Sequence, residues 1–184
     1  MRKILILIIT VALTAIIAGI YGIIHDQFTY TISNEYFTRF KFHQFGLTNT
    51  VTDALSLSPR TAVAYVGFMA TWWTGLIIGL FQGMVGLMHK DSHVMARTII
   101  KATTITLIIT PIVGSIGLAY GWFYLSHTQV NWWFPKELVD KRSFITVGSM
   151  HNFSYLGGAI GLLAGVSYQL FVVFRDRKTF YRPH

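Results

Sequence analysis

An all-α membrane protein, a bundle of four transmembrane helices with a structured outer loop between the first and second, is the fold the sequence predicts. Two observations carry this. Hydrophobic residues make up 53% of the 184 and charged residues only 12%, about half the charge of a soluble domain. The shortage is also uneven, because four long stretches are almost free of charge and the charged residues collect between them, as lipid-crossing spans require.

The first span runs from about Ile4 to Ile24. A helix of that length covers roughly 31 Å at about 1.5 Å per residue, which matches a hydrocarbon core. Its apolar run exceeds that of a usual signal peptide and Ala15 to Gly19 offers a poor cleavage site, so it reads as a retained helix. The second span covers about residues 61–88. Ser58 and Pro59 precede it, a capping hydroxyl followed by a residue that needs no N–H at the first helical position. The third, about 98–125, contains Pro111 and should kink there. The fourth covers about 147–174. Residues 1–184 form a single transmembrane domain with outer loops at about 25–60 and 126–146.

Lysine and arginine set the orientation. With the N-terminus inside, nine basic residues lie in the inner segments and six in the much longer outer loops. This predicts a multi-pass protein of the cytoplasmic (inner) membrane with both termini cytoplasmic. The net charge of +8 flanks apolar spans, so the partner it implies is the lipid bilayer and not nucleic acid. With no cysteine, the chain has no disulfide, thiolate metal site or cysteine nucleophile.

Gly75, Gly79 and Gly83 recur at four-residue spacing in the second span, and Gly157, Gly161 and Gly165 in the fourth. Such ridges let helix backbones approach closely. They lie at similar depth, which predicts contact between the second and fourth spans. The same ridges also fit a homodimer or another membrane protein.

In the first outer loop, Phe28, Tyr30 and Ile32 alternate with polar residues, which predicts a short extended piece. Tyr36, Phe37 and Phe40 then fit one face of an amphipathic helix. The second loop holds Asn131-Trp132-Trp133-Phe134-Pro135, and these tryptophans read as interfacial anchors. Trp72 and Trp73 fall near mid-membrane, where they read as packing residues, or more sharply as the wall of a quinone or lipid pocket.

Ionisable groups near lipid are costly, which makes them candidates for function. His25, Asp26, Glu35, His151 and Asn152 all fall near the outer ends of the spans, and His25, Asp26, Glu35 and His151 are predicted to converge beneath Tyr36 to Phe40. Imidazole with carboxylate suits zinc, copper, iron or manganese, and paired histidines suit haem iron. A hydrogen-bonded structural cluster explains the same residues, and no HxxxH, HExxH or ExxH spacing occurs. His43 reads as a solvated or interfacial loop residue, and His89 and His93 as surface residues of the inner turn. No GxSxG elbow or phosphate loop occurs, and catalytic residues are not assigned.

Tyr21-Gly22, His25-Asp26-Gln27, Glu35-Tyr36-Phe37-Thr38, Ala70-Thr71-Trp72-Trp73 with Gly75, and His151-Asn152 with Ser154-Tyr155-Leu156-Gly157-Gly158 together resemble an uncharacterised group of small bacterial integral membrane proteins. The resemblance implies a four-helix membrane fold and no particular activity. The sequence thus favours a non-enzymatic accessory or assembly protein. A metal- or haem-binding redox protein and a small transporter or channel subunit are the alternatives.

Overall fold

The computed structural model describes residues 1–47 and 57–180, with side chains to residue 176. Residues 48–56 of the predicted first loop lie outside the described residues, as do Arg182 and the side chains of Arg177 and Lys178. Helix α1 spans Arg2–Ile32, followed by the short α2 (Asn34–Tyr36), a π-helical turn (Phe37–Lys41) and α3 (Phe42–Gln44). Then come α4 (Pro59–Gly86), α5 (Ser92–Phe123), a 3-10 turn (Leu125–His127) and α6 (Lys141–Phe180). No strand occurs among the described residues. Helices α1, α4, α5 and α6 are long and apolar enough to cross a membrane, so the protein is an integral, multi-pass membrane protein with an all-α fold. Both long connections lie at one end of the bundle, here the loop end. The N-terminus, the described end of α6 and the 87–91 turn lie at the other, the terminal end.

Local chemistry fixes the helix starts. The Ser58 hydroxyl accepts from the Thr61 N–H and Pro59 fills the first helical position, as the sequence predicts. The Asp91 carboxylate accepts from the His93 and Val94 N–H groups and starts α5. Asp140 accepts from the Ser143 N–H at the start of α6.

Three expectations about the connections between the spans need correction. The predicted extended piece at 28–32 is helical, since α1 continues to Ile32 and ends where Ser33 turns extended and caps α2 through the Tyr36 N–H. Alternation over five residues is too short to distinguish a strand from the last turn of a helix. The second connection is also shorter than predicted, because the Asp140 cap starts α6 at Lys141. Finally, His89 is buried and not a surface residue. Its Nε2 lies 3.0 Å from Thr98 Oγ1, and Lys3 donates to its carbonyl oxygen. His93 is exposed.

The helices pack as two close pairs, α1 with α4 and α5 with α6. The glycine ridges do not face each other as expected. Gly75, Gly79 and Gly83 lie against Thr14, Ala18, Val11 and Leu7 of α1. Gly157, Gly161 and Gly165 lie against Thr110, Thr106 and Ala102 of α5. A ridge of small residues packs best on another small or notched surface, and α1 and α5 each provide one. Both ridges are thereby covered by helices of the same chain. The Thr71 hydroxyl donates to the Ala18 carbonyl at 2.7 Å across the first pair, and Ser149 donates to the Gly117 carbonyl at 2.8 Å across the second.

The two pairs touch each other less closely. Gln82 of α4 ties them together through α5, accepting from Thr103 at 2.7 Å and donating to Thr106 at 3.1 Å. Above this tie an elongated cavity of about 340 Å³ runs between the pairs.

Candidate functional site

At the loop end of that cavity, α1 and α6 bring together His25, Asp26 and His151. His25 and Asp26 are consecutive on α1, and His151 faces them from α6. All three are buried, with exposures of 8%, 3% and 6%. His25 Nδ1 lies 3.0 Å and His151 Nε2 lies 3.1 Å from the same oxygen, Asp26 Oδ1. The second oxygen, Oδ2, is buried and has no hydrogen-bond partner among the described residues. The imidazole rings meet edge to face, 4.6 Å between centroids.

The other ring nitrogens define the chemistry. His151 Nδ1 lies 2.9 Å from the Val147 carbonyl. A carbonyl only accepts, so Nδ1 carries a proton. A neutral imidazole then has a bare lone pair on Nε2. That lone pair points at Asp26 Oδ1, which is also an acceptor. Two acceptors 3.1 Å apart in a buried site repel unless a proton or a metal cation lies between them. His25 Nε2 lies 3.1 Å from Ser154 Oγ, a hydroxyl that donates or accepts according to the tautomer.

A short helical collar closes the site from above. The π-helical turn is marked by the Phe42 N–H donating to the Phe37 carbonyl, and π-turns often sit at functional sites. It follows Tyr36 directly and seats Phe37 with no exposed surface. The Tyr36 ring lies 4.8 Å from His151 and the Phe37 ring 6.2 Å from it. Tyr36, Phe37, Phe42, Phe144 and Val147 share one buried apolar cluster. Lys41 is buried at its edge, bonded to Gln44 Oε1 at 3.1 Å, and burial holds its pKa below the ordinary lysine value. The collar and its cluster keep the histidines in apolar surroundings, where charge interactions are strong.

Glu35 is not part of the centre. Its carboxylate accepts from the Val139 and Asp140 N–H groups at 3.1 and 2.8 Å and pairs with Arg39 at 3.0 Å. It pins the second connection to the collar. Depth along the sequence places Glu35 near the histidines, but its position after Ser33 turns it away from them. Asn152 is exposed and lines a separate notch with Tyr36, Phe40 and Trp132. His43 is exposed. Ser154 belongs to the site although the sequence reading did not assign it a role. Its signal was the three-residue step from His151, which places both on one helix face.

The Asp140 N–H bond is the largest of the interactions that hold the Glu35 pKa below the usual carboxylate range. A lowered folded value stabilises the docked loop at neutral pH, fully so above the unfolded value, and this is lost as pH falls through the folded value. Glu35→Gln is therefore expected to reduce exchange protection of the Val139 and Asp140 amides at neutral pH by about tenfold or more. Wild-type protection should fall toward the variant's on acidification. Equal protection in both proteins at neutral pH would refute the pinning role.

Two chemistries fit the centre. One donor atom from each of His25, Asp26 and His151 lies within 4.8 Å of the others. A metal at bond lengths of about 2.0–2.2 Å needs its ligand atoms roughly 3–4 Å apart, so a contraction of about 1–2 Å at the widest pair completes a three-ligand site. In that state the Val147 carbonyl and the Ser154 hydroxyl accept from the far N–H of each imidazole, the usual outer-shell support of metal-bound histidine. Alternatively, Ser154, His25 and Asp26 form a hydrogen-bonded series in the order of nucleophile, base and orienting acid. Ser154, however, lies within α6, where backbone N–H groups are spent on helix bonds and offer no oxyanion hole. A haem held between both histidines does not fit, since its plane would have to lie between imidazoles that are 4.6 Å apart and share one aspartate oxygen.

Compared with protein-family models, curated proteins and solved structures, the chain matches none.

Proposed function

We propose that this membrane protein holds one divalent transition-metal ion through His25, Asp26 and His151. One observation carries the reading: His151 Nε2 and Asp26 Oδ1 face each other at 3.1 Å with the other nitrogen of that histidine committed to a carbonyl. We take this cation to be a metal and not a proton, because His25 completes a two-histidine, one-carboxylate set and Asp26 Oδ2 has no partner among the described residues. That set suits zinc or iron(II) and leaves coordination positions free for another ligand. The cavity lies on that side. The role is then redox, hydrolytic or metal-delivering chemistry at the loop end. The accessory-subunit and transporter readings have no comparable observation behind them. Elemental analysis of gently purified protein tests the proposal, with about one metal per chain expected. Protein that is correctly folded yet carries no more metal than a histidine variant would overturn it.

We further propose that the loop end faces outward and that both termini are cytoplasmic, in the inner membrane of a bacterium. The nine-to-six distribution of basic residues supports this. Reporter fusions after residues 45 and 135 should read outside, and one after residue 92 inside. An inside reading at 45 would reverse the orientation and put the metal centre on the cytoplasmic side.

A further inference from the structure

The cavity beside the centre has the shape of a slot. It follows α6 from His151 to Leu162 and α1 from Thr14 to Asp26, a length of about 16–18 Å at about 1.5 Å per residue. That length suits one extended hydrocarbon chain, and the volume of about 340 Å³ falls within the range of small-molecule sites, about 300–1,000 Å³. The walls are mostly apolar, and the threonines near the closed end spend their hydroxyls on carbonyls and Gln82: Thr14 donates to Thr10, Thr74 to Thr71 and Thr103 to Gln82. The polar side chains His25, Asp26, His151 and Ser154 cluster at the loop end, where Asp26 Oδ2 has no hydrogen-bond partner among the described residues.

The slot also has a side opening. Trp73 and Ile77 of α4 and Tyr155 of α6 line it and are each more than 40% exposed. Gly158 of α6 lines the slot as well, and an added Cβ there meets nothing within 4 Å. The Tyr155 hydroxyl reaches across the gap to donate to the Ala70 carbonyl at 3.3 Å. The opening therefore gives onto the lipid-facing surface between α4 and α6.

We propose that the slot binds a long-chain fatty acid, or an acyl chain ending in a carboxyl group, which enters sideways from the bilayer. The hydrocarbon lies along the slot toward Gln82. The carboxyl oxygens reach Ser154 and the free coordination positions at the His25–Asp26–His151 centre. The seat for the hydrocarbon stands on the cavity alone. The placement of the head rests on the metal reading.

Saturable binding of tritiated palmitate to the full-length protein in nanodiscs tests this, with and without prior chelation. Wild type should bind about one palmitate per protein, and chelation should weaken binding without abolishing it. Gly158→Phe places a ring in open space at the mouth, so it should fold and bind palmitate at least about tenfold more weakly. Ile112→Phe, on the lipid-facing side of α5, should bind as wild type does. Wild-type affinity in a folded Gly158→Phe protein would overturn the proposal. So would failure of wild type to bind palmitate, or displacement of palmitate by a quinone or two-chain phospholipid at far lower concentration. Chelation without effect on binding would remove the head from the metal and leave the hydrocarbon seat intact. Wild type that carries no metal as purified, before any chelation, yet binds palmitate would sink the metal reading alone.

Discussion

His151→Ala is expected to lower metal content from about one equivalent per protein to background, while Glu35→Gln leaves it unchanged. The two residues both lie at the loop end, but only His151 reaches the centre. Removing it deletes one of three donors and leaves Asp26 Oδ1 with His25 alone. Loss of an outer-shell partner typically costs about 10–100-fold in metal affinity, and loss of a ligand should exceed that. Asp26→Asn tests the same point with nearly constant volume. An amide is a poor ligand for these metals, so metal should again be lost, and its NH₂ group cannot accept from either imidazole. If wild type and His151→Ala contain equal metal while both are folded, the cation between His151 and Asp26 is a proton. The cluster is then a buried imidazolium–carboxylate pair. Such a pair adds little net stability, although breaking it costs about 3–5 kcal/mol. The two outcomes therefore differ in metal content and agree in destabilisation, which makes elemental analysis the deciding measurement.

Gly22→Leu is expected to be the most destabilising single substitution in the membrane core, with Gly67→Leu its equal. A Cβ at either glycine would collide with the carbonyl oxygen of the other. The clash is backbone against backbone, so no rotamer change relieves it, and α1 and α4 must move apart. Overpacking a well-packed core costs about 1–3 kcal/mol even where side chains can adjust. The cost here should reach at least the top of that range. It should also open the Thr71 to Ala18 bond that joins the pair nearby. Gly158→Leu provides the contrast, because its Cβ meets open space. Thermal unfolding in detergent should place Gly22→Leu far below wild type and Gly158→Leu close to it. Similar midpoints for the two variants would count against the close α1–α4 crossing.

The number of spans, their approximate limits and the Ser58–Pro59 start are legible along the sequence because each depends on residues next to one another. Hydropathy over about twenty residues and a capping hydroxyl need no knowledge of the rest of the chain. The sequence also shows that His25, Asp26 and His151 share a level in the membrane, since depth follows from counting residues along a helix. Direction around the helix axis is a different matter. It placed Glu35 on the collar and not in the centre, and added Ser154 in its stead. Partner choice among the helices was likewise undetermined, because α1 and α5 carry small-residue surfaces as well as the two regular glycine ridges. Only the tertiary structure pairs α1 with α4 and α5 with α6. That pairing leaves a slot between the pairs and aims both imidazoles at one aspartate oxygen, since backbones close where glycines lie against a facing helix and stay apart where they do not.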